Sequence, residues 1–196
     1  MTAATDYAIE VKFDRKVKLR RVAGSTIQKD EKKKRSRKVL GSTSPRMEIT
    51  DPVLVWETEG EGAEVTLRLV SIAATITFAT QIKIDKAIDT ATTCYKEVKA
   101  HELEHVKIWQ SGVKRFAPKI VSELEMLFAR LLPAEEALPA GKVKARQQRA
   151  DEVVRQLLPW TAQHYGEKIS RLSKKHDTKA ELDRIQGICG LYLLQP

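Results

Sequence analysis

The hydrophobic pattern of the chain changes once, near residue 92, from the period of strands to the period of helices. In residues 7–21 apolar and polar side chains alternate, which is typical of half-buried strands. Residues 52–56 and 65–84 are rich in Val, Ile and Thr, the residues that favour strands. The first ninety residues are therefore predicted to be mainly β.

After residue 92 the apolar residues recur at helical spacing in three stretches, 92–131, 143–175 and 178–186. Pro118 interrupts the first stretch, so a kink or a restart of the helix is expected there. Gly187 is expected to stop the last helix.

Two stretches carry loop signals: residues 41–45, which read Gly-Ser-Thr-Ser-Pro, and the predicted helix connector, residues 133–141. A β half followed by a helical half predicts one α+β domain over residues 1–196, mainly β in 1–90 and mainly α in 92–196. The expected architecture is a small antiparallel β-sheet followed by a motif-bearing helix and a long helical hairpin.

The first helical stretch contains His101-Glu102-Leu103-Glu104-His105, an H-E-x-x-H motif. Residues four apart lie one above the other on a helix, so both imidazoles point to the same side. Val98 and Ile108 continue the same 3-4 spacing, which places the motif on the apolar face of the helix. Two surface histidines brought together by chance would be expected on the opposite, solvated face.

Two imidazoles on adjacent helical turns are a typical zinc-binding pair. Glu102 is then expected next to the metal, where a carboxylate can take the proton of a zinc-bound water that attacks a carbonyl. The motif thus predicts Zn²⁺ as cofactor, His101 and His105 as ligands, Glu102 as general base and a peptide or protein as substrate.

A third protein ligand is needed to complete an open tetrahedral site. Folding the helical regions back at the connector brings the remaining histidines towards the motif, and His176 ends an inward-facing stripe. His176 is the predicted ligand, with His164 as the second choice. Glu123 or Glu125 could serve only if the chain folds back at Pro118. Tyr165 lies on the same stripe as His176 and is predicted to stabilise an oxyanion.

The chain has two cysteines, Cys94 just before the motif and Cys189 near the C-terminus. Neither has a C-x-x-C neighbour, so a disulfide is favoured over zinc ligation, with two buried free thiols as the alternative. A disulfide favours a secreted or periplasmic protein. The start of the chain lacks the pattern of a signal peptide, which is consistent with a cytoplasmic protein or with a chain that begins after a cleavage site.

The formal net charge is +9, and residues 29–38 hold seven of the basic residues. The run has no aromatic residue to stack on bases, so nucleic acid is not the expected partner and a solvated loop is. No apolar run reaches the length of roughly 18 residues that a membrane span needs. The alternative to an enzyme is a non-catalytic basic protein that binds an anionic cell-envelope or nucleic-acid partner and carries a structural or vestigial metal site.

The H-E-x-x-H helix after a β-rich segment resembles the zincin class of metallopeptidases. The order of β-rich half, cysteine, motif, Trp109 and long helical hairpin is similar to a bacterial family of predicted secreted zinc-dependent proteases, and the similarity covers residues 52–128. It implies the same zinc ligands and base, and export from the cytoplasm. Such families often show a Tyr-Asp and His-Gly signature near the C-terminus, where the nearest string here is His176-Asp177-Thr178.

Overall fold

The computed structural model describes residues 7–30 and 39–193 of the 196-residue chain. Residues 31–38, most of the predicted basic loop, lie outside the described residues. The elements follow the chain in this order: β1 (Ala8–Val22), α1 (Gly24–Asp30), β2 (Gly41–Ile49), β3 (Val53–Glu59), β4 (Glu64–Asp85), α2 (Thr93–Leu131), β5 (Glu135–Pro139), α3 (Val143–Lys174) and α4 (Lys179–Leu193).

The α+β class is confirmed, since the described residues form a sheet with four of its strands in the first half, and three long helices in the second. The sheet has five strands, and β4, with 22 residues, is its centre: β1, β2, β3 and β5 all pair with it. β3 and β5 pair with β4 in antiparallel register. The sheet as a whole is mixed, whereas an entirely antiparallel sheet was expected.

Three local predictions from the sequence are wrong. Residues 41–45 begin strand β2 instead of forming a loop, and Glu135–Pro139, in the predicted connector, forms β5. α4 continues through Gly187 to Leu193. α2 is one helix through Pro118, so the restart that was one of the two expected outcomes there does not occur.

The chain divides into two compact units, and β1, β2, β4, α2 and α3 each contribute residues to both. The first unit comprises Met1–Asp14, Met47–Thr77 and Lys114–Gly166. Its buried residues alternate along β4, as Leu67 and Leu69 do, and recur every fourth residue along the helices. The fully buried helical positions of this kind are Ile120, Leu124, Phe128, Ala150, Val154, Leu158 and Ala162.

The second unit comprises Arg15–Arg46, Phe78–Val113 and Glu167–Pro196, and it contains the H-E-x-x-H motif. The end of β4 is bound on both sides: Asp85 N donates to Leu40 O at 2.9 Å, and Lys86 N donates to Val22 O at 2.8 Å. One apolar cluster fills this unit with residues from β4, α2 and α4: Leu40, Ile82, Ile84, Ile88, Cys94, Val98, Val106, Ile185 and Cys189.

Cys94 and Cys189 form a disulfide inside that cluster, as predicted. The bond joins the first turn of α2 to α4 across 95 positions of sequence. It therefore fixes α4 beside the motif-bearing part of α2. Among the described helices, none combines the length and the apolar character needed to cross a bilayer.

Removing the disulfide should destabilise the protein, because the crosslink restricts a long loop in the unfolded chain. For a loop of this length the chain-entropy model gives about 4.7 kcal/mol. The Cys94→Ala/Cys189→Ala variant is expected to unfold at clearly lower urea concentration than wild type, and reductant should shift only the wild-type midpoint. Equal midpoints for both proteins without reductant would contradict this account.

Candidate metal centre

The motif side chains lie on the buried face of α2. His101, Glu102 and His105 are 7%, 5% and 6% exposed. Val98 and Val106 lie on the same buried face and belong to the apolar cluster of the second unit. Three ionisable groups on one buried face need partners or a cation, because an isolated buried charge is costly. A chance pair of solvated histidines does not fit this burial.

Asp177 joins the two histidines to form a compact group of three possible metal ligands. The Nε2 atoms of His101 and His105 are 3.2 Å apart. Asp177 Oδ1 lies 2.9 Å from His105 Nε2 and 3.3 Å from His101 Nε2. Bonds of about 2.0–2.2 Å to zinc in a tetrahedral site place neighbouring ligand atoms roughly 3.3 Å apart. The three atoms thus already stand close to the spacing that one ion requires.

Hydrogen bonds alone do not account for this triangle. Each Nε2 atom carries at most one hydrogen, which points along one line, so all three short contacts cannot be hydrogen bonds together. The hydrogen bond to Asp177 raises the pKa of His101 against the opposing effect of burial. Burial would raise the pKa of Asp177, but its hydrogen bonds with both histidines outweigh that effect and hold this pKa well below its usual range.

The far side of each imidazole also has a polar neighbour. His105 Nδ1 lies 2.8 Å from Ser173 Oγ. A hydrogen on this Nδ1, donated to the serine, leaves the Nε2 lone pair facing the triangle. His101 Nδ1 is enclosed, 3.7 Å from Glu181 Oε1, and has no hydrogen-bond partner within the described part of the chain.

α4 holds Glu181 in place behind His101. Arg184 donates to both carboxylate oxygens of Glu181, at 2.8 and 2.9 Å, and to Glu97 Oε2 on α2 at 2.8 Å. The Thr178 hydroxyl accepts the Glu181 backbone N–H at 3.2 Å, which caps the start of the helix. The turn that carries Asp177 is therefore fixed at the α4 end.

Glu102 is held by β2. Thr43 Oγ1 donates to Glu102 Oε2 at 2.7 Å. Burial raises the pKa of Glu102, and the Thr43 hydrogen bond partly opposes that effect. A carboxylate enclosed in this way has the environment expected of a general base whose pKa is tuned towards neutrality.

His176, the ligand predicted from the sequence, lies beside the triangle and is not one of its three members. Its ring stacks on His101 and meets His105 edge-on, with both centroid distances 5.1 Å. Its Nε2 atom is enclosed and has no hydrogen-bond partner among the described residues. The sequence analysis missed Asp177, the next residue, although it stands in the His176-Asp177-Thr178 string.

The other predicted candidates lie in the first unit. Tyr165 donates its hydroxyl hydrogen to Glu123 Oε2 at 2.8 Å, so the structure pairs these two residues with each other. His164 stacks on the exposed Trp160, with centroids 6.0 Å apart. The return of the chain at Pro118, which ligation by Glu123 or Glu125 required, does not occur.

A cavity of about 240 Å³ opens onto the motif. The start of β2 lines one side through Gly41, Thr43 and Pro45, and the motif residues and Asp177 line it as well. Val98, Leu182 and Ile185 form an apolar part of the wall. The three possible ligands and Glu102 thus share one cavity that a small part of a substrate could enter.

Comparison of the chain with protein-family models, with curated proteins and with solved structures finds no match. Conclusions on function therefore depend on the geometry of the site.

Proposed function

We propose that the chain is a zinc-dependent hydrolase that cleaves peptide bonds. The observation that carries the proposal is the triangle of His101 Nε2, His105 Nε2 and Asp177 Oδ1, beside a buried carboxylate that belongs to the same cavity. Two imidazoles and one carboxylate are the donor set of open catalytic zinc sites. Asp177 takes the place of His176 as third ligand.

When bound, zinc would supply a water of lowered pKa and polarise the carbonyl of the substrate. The protein supplies the proton transfers. Glu102 accepts a proton from the water as the water oxygen bonds to the carbonyl carbon. It then delivers the proton to the leaving nitrogen as the C–N bond breaks. The second proton of the water passes from the new carboxyl group to the amine, so the products are one carboxylate and one ammonium group and the reaction needs no other reactant.

The disulfide supports the further proposal that the protein works in an oxidising compartment, in the periplasm or outside the cell. A non-catalytic basic binding protein is the alternative proposal. The buried base argues for the enzyme, because a purely structural metal site has no use for a carboxylate held beside its ligands.

The test is a digest of a mixed peptide library by the purified protein in three states: zinc-loaded, stripped with chelator, and stripped then reloaded. Cleavage is expected in the first and third states only, with one zinc per chain. Protein that is fully folded, loaded with one zinc and inert towards all peptides would overturn the proposal. Cleavage that persists after complete zinc removal would overturn it too.

A further inference from the structure

Strand β2 touches both oxygens of the Glu102 carboxylate. Oε2 receives the hydrogen bond from Thr43 at 2.7 Å. Oε1 lies against Gly41, so closely that a Cβ atom at that position would be 2.7 Å from it and 2.7 Å from Val98 Cγ1. One carboxylate oxygen is thus bound by the Thr43 hydroxyl, and the other occupies space that only a glycine at position 41 leaves free.

The strand geometry brings these two residues together. Side chains two apart on a strand point to the same face, so positions 41 and 43 both face Glu102 on α2. The residue before β2 is anchored, because Leu40 O accepts the backbone N–H of Asp85 on β4. The contact to Glu102 therefore comes from a segment tied to the central strand of the sheet.

We propose that Thr43 is a positioning residue that holds the Glu102 carboxylate in place for proton transfer. This inference rests on the proposed function, since it assigns the partner of the proposed base. A base positioned in advance loses less freedom on reaching the transition state than one that must be ordered there.

The Thr43 hydroxyl can form a hydrogen bond with the Glu102 side chain both before and after the carboxylate accepts a proton. Thr43 Oγ1 lies 2.7 Å from Oε2 and 3.2 Å from the backbone oxygen of Glu102. Facing a carboxylate, it donates to Oε2. Facing a protonated carboxyl, it can accept from Oε2 and turn its own hydrogen to the backbone oxygen. A serine can do the same, and a valine of the same shape cannot.

The first test compares Thr43→Val with Thr43→Ser in the zinc-loaded protein. Loss of a hydrogen bond to a charged group predicts a kcat about 10- to 100-fold lower for Thr43→Val. The KM and the zinc affinity should stay within about threefold, because the ligands and the substrate contacts remain. Thr43→Ser should restore most of the kcat. Equal kcat for the valine variant and wild type would overturn the inference, and so would a serine variant as slow as valine.

The second test needs neither zinc nor substrate. A double-mutant cycle with Thr43→Val and Glu102→Ala, measured on urea unfolding of the metal-free protein, should show coupling of about tenfold in the unfolding equilibrium constant. If the effects of the two substitutions are additive, the two side chains do not interact and the inference is overturned. Gly41→Ala, which displaces the carboxylate from its other side, should also lower kcat, and an unchanged kcat there would count against the inference.

These experiments distinguish a failure of the role assigned to Thr43 from a failure of the proposed function. A wild type that hydrolyses peptides, with Thr43→Val equally fast, overturns the role of Thr43 and leaves the proposed function. A zinc-loaded wild type that cleaves nothing overturns the proposed function, and the role of Thr43 with it.

Discussion

Glu102→Gln is expected to bind one zinc per chain and to hydrolyse peptides about 10²- to 10⁴-fold more slowly than wild type, the range that general-base catalysis contributes. Glutamine keeps the size of the side chain and an oxygen that can accept from Thr43. It lacks the negative charge that takes the proton from water. The loss should therefore appear in kcat, measured on a peptide taken from the library digest, and not in zinc stoichiometry.

Glu104→Gln is the matched control for this variant. Glu104 stands on the same helix two residues later, has a side chain that is 45% exposed, and forms an ion pair with Lys107. Exposed pairs of this kind contribute little to stability. Its neutralisation should leave kcat and zinc content unchanged. Full activity of Glu102→Gln, or equal losses in the two variants, would contradict the role given to Glu102.

Asp177→Asn is expected to lower zinc affinity by more than about 100-fold, since loss of a residue that merely orients a ligand already costs about 10- to 100-fold. Asparagine is nearly the same size but has no charge to offer the ion. The dissociation constant is measured by competition with a chelator of known affinity. Folding is checked from the urea midpoint of the metal-free protein.

The His176→Ala variant distinguishes the ligand set proposed from the structure, which includes Asp177, from the set predicted from the sequence, which includes His176. His176 packs against both histidines without being part of the triangle, so its loss should weaken zinc binding less than tenfold. His164→Ala, on the exposed part of α3 beside Trp160, serves as the control and should change nothing. Loss of zinc in His176→Ala with retention in Asp177→Asn would reverse the ligand assignment.

The sequence was sufficient to place His101, Glu102 and His105 on one buried face, because all three lie within one regular helix where 3-4 spacing decides the face. Asp177, the proposed third ligand, lies where that rule stops. α3 ends at Lys174, and the next amides bond three residues back: Lys175 N to Leu172 O and His176 N to Ser173 O. Such a tighter turn rotates the following residues away from the α-helical register. The stripe that pointed to His176 therefore loses its register before it reaches that residue.

The same limit applies to β2. Gly41 and Pro45 suggest a loop, but both lie in this strand. The reasons involve residues distant in the sequence. Gly41 leaves room for Glu102 Oε1. β2 pairs with β4 alone among the described strands, and an edge strand tolerates a proline that lacks a backbone N–H. The hydrogen bond between Thr43 and Glu102 joins residues 59 positions apart, so no local pattern predicts it.

Anomalous diffraction at the zinc absorption edge, from a crystal of the zinc-loaded protein, tests the central claim most directly. The account predicts one peak per chain within bonding distance, about 2.0–2.2 Å, of His101 Nε2, His105 Nε2 and Asp177 Oδ1. The Glu102 carboxylate should lie beside the peak without binding the ion. A crystal without a peak at these three atoms, or a peak bonded to His176 in place of Asp177, would contradict it.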